Sequence, residues 1–166
     1  MRERTIIINS FSKNYIMTGW RLGNLIAPPK MTQLFADINE NLVTSAPAPS
    51  QRAGIYAIQL RKDIQEKAVG EFRRRVEYVA ERIKGIPGMR CMVPQGTFYI
   101  FADIRPSGLT SEQAVAVLRQ KAGVAMLPGS AFGQSGEGFI RICCTKKIDV
   151  LKEAFDRIEK LPEFMA

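Results

Sequence analysis

The sequence predicts an α/β fold built in two parts, and three observations carry that prediction. A β-branched stretch, Thr5-Ile6-Ile7-Ile8, reads as a buried strand running straight into a polar loop. Between Pro28 and Gly85 the apolar residues recur at helical spacing. From about Gly85 onward the order strand, strand, helix, strand, strand, helix is that of a small α/β domain. With 166 residues, 46% of them hydrophobic, the chain can bury a real core.

The elements follow in order. A strand such as Thr5 to Ile8 is expected to be covered on both faces and paired on its edges, with its sheet partners lying upstream. Pro28-Pro29 opens a helix, because proline at the first helical position has no amide hydrogen to leave unbonded. Its apolar positions are Met31, Leu34, Phe35, Ile38 and Leu42. Pro47-Ala48-Pro49 breaks the chain, and a short helix follows from Ser50 to about Leu60. Asp63 with Glu66 offers a capping box for a long amphipathic helix striped by Val69, Phe72, Val76, Val79 and Ile83, ending near Gly85 and Pro87. Met89 to Val93 and Thr97 to Ile104 read as strands. Thr110 with Gln113 caps a helix ending at Gly123, and Val124 to Leu127 is a further strand. Phe139 to Cys144 is the last strand, and Ile148, Leu151, Phe155 and Ile158 form the apolar face of a closing helix.

Composition removes several function classes. There is no histidine, so Ser-His and Cys-His nucleophile pairs and zinc-type Cys/His spacings are absent, and no metal site is expected. Proton transfer falls to lysine, tyrosine, a carboxylate or a bound cofactor. Three cysteines, two of them adjacent at Cys143-Cys144, give no disulfide framework. No apolar run is long enough to span a bilayer and no signal region opens the chain, so no membrane partner is expected and the cytoplasm is the expected compartment. The net charge of +8 does not by itself call for nucleic acid. The basic residues are scattered over helices, as in Arg73-Arg74-Arg75 and Lys146-Lys147, and read as solvated helix faces.

The most informative run is Ser10-Phe11-Ser12-Lys13-Asn14-Tyr15-Ile16-Met17-Thr18-Gly19-Trp20-Arg21-Leu22-Gly23. It gathers an amine, hydroxyls and a guanidinium just past the C-terminal end of a strand, where ligands tend to bind. An amine can condense with an aldehyde, and an arginine can hold a phosphate dianion by two parallel charge-assisted bonds. Gly19 and Gly23 allow the loop to double back, so that Arg21 and Ser10 converge on one anion. Taken alone, a loop lysine is more often a solvated surface charge. Trp20 reads as a packing residue, and Tyr15 lies beside it.

This run resembles the cofactor-lysine signature of class I and II aminotransferases, with Ser10, Ser12, Lys13, Met17, Gly19, Arg21, Leu22 and Gly23 on the pattern. Ile16 departs from it, standing where the family usually has a smaller residue, which implies altered loop packing. The resemblance implies that Lys13 holds pyridoxal 5'-phosphate as a Schiff base and shuttles a proton at the substrate α-carbon. It implies that Ser10, Ser12 and Arg21 anchor the phosphate. Arg141, a charge within the apolar run Phe139-Ile140-Arg141-Ile142, would be expensive to bury unpaired, and by alternation could also lie on an exposed face. It matches the family arginine that grips the substrate α-carboxylate. Pro94 to Tyr99 and Leu127 to Gly133 match landmarks of the family's small domain, although packing alone would explain their aromatics.

The implied architecture is the tail of the cofactor-binding large domain plus the small C-terminal α/β domain of a fold type I aminotransferase. Residues 1–49 would belong to the large domain, 50–85 would be interdomain helices, and 86–166 the small domain. The implied substrates are an amino acid and a 2-oxo acid, and the parent is expected to be a homodimer. In relatives an N-terminal half supplies the ring-stacking aromatic and the aspartate at the pyridine nitrogen. Neither can be located here, so the isolated chain is expected to be inactive. Two other readings share the lysine loop: a C–S lyase or other enzyme of the same fold type, and the aminotransferase-like effector domain of a transcription regulator.

Overall fold

The β-branched run near the N-terminus forms a strand two residues later than its composition predicts, and its partner comes from within the chain. In the computed structural model, which describes residues 1–165, strand β1 spans Ile7–Ser10 and pairs antiparallel with β2, Gly23–Ile26. No apolar alternation marks Gly23–Ile26 as a strand, so this partner is one the sequence does not announce. Neither is β1 covered on both faces, since all four of its residues are exposed. The turn residues between Phe11 and Leu22 fold the two strands into a hairpin, which satisfies one edge of β1 locally.

Packing divides the chain into two units, Met1–Ala68 and Val69 onward. The first unit holds β1, the one-turn helix α1 (Phe11–Asn14), β2, α2 (Pro29–Val43) and α3 (Ala48–Gln59). Pro29 opens α2 as predicted, and Thr32 Oγ1 donates back to the carbonyls of Ala27 and Pro28 in its first turn. No residue of α2 is buried, however, and Leu34, Ile38 and Leu42 stand exposed. Helix α4 (Arg61–Lys84) begins earlier than the Asp63–Glu66 box implied, because Ile64 N already donates to Leu60 O at 3.1 Å. Asp63 therefore lies inside the first turn, where an acid still suits the positive end of the helix dipole. Residues 61–68 of α4 count with the first unit and 69–84 with the second.

The second unit packs a three-stranded antiparallel sheet in the order β3-β5-β4, with β3 at Tyr99–Asp103, β4 at Leu127–Pro128 and β5 at Phe139–Cys143. Helices α5 (Ser111–Ala122), α6 (Ile148–Ile158) and α7 (Pro162–Met165) complete it. The Thr110 capping box forms with both of its bonds, and Gly123 closes α5 in the left-handed conformation. Met89 to Val93 does not form a strand; only Arg90 bridges to Asp103. The strand expected from Val124 shrinks to two residues. Val69, placed on the apolar stripe of α4, is exposed, whereas Val76, Val79 and Ile83 enter the core. That core runs from these residues through Ile100, Ala102, Ile140 and Ile142 to Leu118, Phe155, Ile158 and Phe164.

Two polar arrangements fix the second unit. Arg82 spans α4 to α6, donating to Asp156 and to Glu159 at 2.7 Å each and to the Tyr78 hydroxyl at 2.6 Å. These acceptors hold its guanidinium charged well above the ordinary arginine range, Glu159 first among them. Arg75 is not the solvated charge its neighbours implied: it donates to Glu71 and to the Thr145 carbonyl. Among the described residues no helix is long and apolar enough to cross a membrane.

Candidate functional site

The lysine segment is built from an anchored phenylalanine outward. Phe11 is buried with Met17 and Ala57, and its ring stacks on Tyr15 at 4.9 Å between centroids. Helix α3 approaches closely at Gly54, where a Cβ would meet Leu22 Cδ2 at 2.5 Å. These contacts seat α1 against α3 and leave its other face outward. Ser10 ends β1 and caps α1, its Oγ accepting from Ser12 N at 3.1 Å. Lys13 follows in the last turn of α1 with its side chain exposed. Within the first unit its amine makes no hydrogen bond or ion pair among the described residues. Ser12 is half-buried.

The loop doubles back, with Gly23 at the close approach its position predicts; Gly19 has no such role, and the left-handed turns fall on Ile16 and Arg21 instead. Ser10 stands opposite Gly23 in the hairpin register, and Phe11 N donates to Leu22 O at 3.1 Å. Gly23 is required by this closeness, since a Cβ there would lie 2.8 Å from the Asn9 carbonyl oxygen. Arg21, two residues before Gly23, therefore enters the neighbourhood of Ser10 through the backbone. It adopts the left-handed conformation at φ 50° and ψ 47°, and spends Nη1 on the Thr18 carbonyl at 2.8 Å. Ile16 is left-handed too, at φ 56°. A β-branched residue is strained there, which accounts physically for the smaller residue expected at this point. Trp20, read from sequence as a packing residue, is 46% exposed instead.

Arg141 belongs to the second unit. Alternation along β5 sends Ile140 and Ile142 into the core and Phe139, Arg141 and Cys143 to the opposite face. Arg141 is thus half-exposed, and the cost of burying an unpaired charge does not arise. Across the sheet it faces Phe101 on β3 and Leu127 on β4. Its guanidinium carbon lies 4.4 Å from the Tyr99 ring centroid and 4.7 Å from that of Phe132.

Ser111 is a further contributor, found only in the structure. Wholly buried at the start of α5, its hydroxyl accepts from Gly138 N at 2.9 Å and Phe139 N at 3.3 Å, fixing the entry to β5. Its own amide donates to Glu137 at 2.8 Å. Nothing in the sequence separates it from an ordinary residue of a first helical turn. All three cysteines are free, and burial, with Cys143 and Cys91 nearby, pushes the Cys144 thiol up to about 12. It stays protonated and inert. Among the described residues no three His, Cys, Asp or Glu side chains could hold a metal ion.

The model of the aminotransferase class I and II family matches residues 1–158. The chain belongs to that family. It is 39% identical to an aspartate aminotransferase of Pyrococcus horikoshii, over 97% of this chain and 42% of that protein. It is 38% identical to aromatic-amino-acid aminotransferase 2 of Thermococcus litoralis, over 97% of this chain and 42% of the relative. Among solved structures, the aromatic aminotransferase of Pyrococcus horikoshii superposes with a TM-score of 0.91 at 37% identity, covering 96% of this chain and 43% of that one. The chain thus spans about 42% of the length of the curated relatives it matches, and its mixed α/β fold is that of the corresponding part of a fold type I aminotransferase.

Proposed function

We propose that this chain forms part of a pyridoxal-phosphate-dependent aminotransferase that moves an amino group from an amino acid to a 2-oxo acid, with Lys13 as the catalytic amine. The observation that carries the reading is the hairpin that returns Gly23 to Ser10 around an exposed, uncommitted Lys13. The donor set suits a phosphorylated aldehyde: one amine for the carbonyl carbon, and two hydroxyls, backbone amides and a guanidinium for a dianion. When bound, the cofactor supplies the electron sink for a carbanion at the substrate α-carbon.

The chain's own residues then have distinct tasks. Ser10, Ser12 and Arg21 hold the phosphate, with the Thr18 carbonyl fixing one arm of the Arg21 fork so that less side-chain freedom is lost on binding. Lys13 Nζ takes and returns the proton at the substrate α-carbon. Arg141 orients the substrate by a bidentate grip on its α-carboxylate. Residues 1–49 are assigned to the cofactor-binding domain, 50–85 to interdomain helices and 86–166 to the small domain. A homodimeric parent is part of the same proposal. No residue of this chain is assigned as the aspartate at the pyridine nitrogen or as the ring-stacking aromatic, so the isolated chain is proposed not to turn over.

Borohydride reduction of the full-length parent incubated with pyridoxal 5'-phosphate tests the assignment. Peptide mapping should place the phosphopyridoxyl label on Lys13, and an Arg21→Lys variant should label less at equal cofactor concentration. A label spread over the other lysines, or none, would remove the central assignment. Amino acid turnover by the isolated chain at about 1 per second or more would contradict its proposed inactivity.

A further inference from the structure

On the reading that Arg141 takes a substrate carboxylate, we propose that Tyr99 and Phe132 are positioning residues. Their rings hold the Arg141 guanidinium through its face and leave its N–H edges free for the carboxylate. Both centroids, at 4.4 and 4.7 Å, lie well within the range in which a guanidinium is attracted to an aromatic face.

Three other arginines of the same unit also lie over aromatic rings, but differ in that their N–H groups are already committed. Arg82 spends its N–H groups on Asp156, Glu159 and Tyr78, and Arg105 forks onto Asp103 at 2.9 and 2.7 Å. Arg75 is committed to Glu71 and the Thr145 carbonyl. Within the second unit, Arg141 makes no hydrogen bond or ion pair among the described residues, and its guanidinium lies over the Tyr99 and Phe132 rings. A guanidinium carries its five donors in its plane, and a carboxylate approaches in that plane to form two parallel bonds. Contact through the face therefore removes rotational freedom without consuming a donor.

The rings are themselves braced. Tyr99 opens β3 and packs on Phe98 at 4.6 Å, while its amide donates to the hydroxyl of Thr97, which is held left-handed at φ 70°. Phe132 meets Phe101 edge-on at 6.1 Å, and Phe101 stacks on Phe139 at 5.1 Å. Phe132 ends the 3-10 turn that starts at Gly129, where a Cβ would strike the Gly136 and Phe139 carbonyls. Two separate turns thus deliver one ring each to a single guanidinium.

The test uses the 166-residue chain and propanoate as a probe, reading the Arg141 Nε–H resonance in wild type, Tyr99→Phe, Tyr99→Leu and Phe132→Leu, with Arg141→Lys for assignment. The ring currents should hold the signal upfield in wild type and Tyr99→Phe, and propanoate should move it. In each leucine variant the signal should shift toward that of an unstacked arginine, and propanoate should bind roughly three- to tenfold more weakly. If wild type and both leucine variants show the same resonance and the same propanoate affinity, the positioning role is overturned while the carboxylate assignment stands. If propanoate leaves Arg141 of the wild-type chain unmoved, the carboxylate assignment fails and the positioning role falls with it.

Discussion

The two units of this chain bury very different amounts of apolar surface from similar raw material. The second wraps one continuous core in which Val79, Ile83, Ala102, Ile104, Leu118, Ile140 and Phe164 are inaccessible to solvent. The first buries only Phe11, Met17 and Ala57 among its described hydrophobic residues. It leaves Ile7, Ile8, Ile26, Leu34, Ile38, Leu42 and Ile58 exposed. The difference lies in what each element packs against. In the second unit a sheet face and four helices cover one another; in the first a two-stranded hairpin, marginal by itself in water, meets helices whose apolar stripes remain open. A helix or a strand can thus be correctly specified in sequence and still lack the partner surface that would stabilise it.

Amide hydrogen exchange is the measurement on which this contrast should show most strongly. In chain that sediments as a monomer, amides of β3 and β5 should exchange roughly a thousandfold more slowly than those of β1 and α2, a difference of about 4 kcal/mol in opening free energy. Equal protection in both units would mean that the hairpin and α2 are held as firmly as the sheet, and the comparison would collapse.

A smaller effect is expected from Ser111→Ala, which removes the acceptor shared by the buried Gly138 amide and the part-buried Phe139 amide. Denaturant unfolding monitored in the second unit should lose about 1–3 kcal/mol, with the first unit unchanged. A loss shared equally by the two would show that they unfold as one body.

In the first unit, Ile16→Gly should relieve the left-handed strain at φ 56°. The gain should be about 1 kcal/mol after the extra chain entropy of glycine is offset, or roughly fivefold slower exchange across α1. Faster exchange would mean that the Ile16 side chain contributes packing that outweighs its backbone strain.

The smallest expected effect concerns acid. Arg105, by side-chain hydrogen bonds, holds the Asp103 carboxyl below its ordinary value of 3.8. A depressed folded value means that this pair contributes stability above the unfolded carboxyl range and loses it as pH falls through the folded value. The second unit should weaken on acidification below about pH 4, and Asp103→Asn should flatten that limb slightly, because the Arg105 side of the pair is exposed to solvent screening. An identical acid limb in the variant would assign the loss to other carboxylates.

Local chemistry in the sequence determined much of this protein. Pro29 opened α2, Thr110 with Gln113 capped α5, Gly123 closed it, and the Ser10 to Gly23 run announced its amine, hydroxyls and guanidinium, because each depends on neighbours within a few residues. Tertiary structure alone decided the rest. The pairing of β1 with β2, the exposure of the α2 stripe and of Trp20, the failure of Met89 to Val93 to form a strand, and the stacking of Tyr99 and Phe132 on Arg141 all turn on which surface arrives opposite. Periodicity records that a face is apolar; whether anything covers it is set by contacts between residues far apart in the chain, and that information is not carried by spacing.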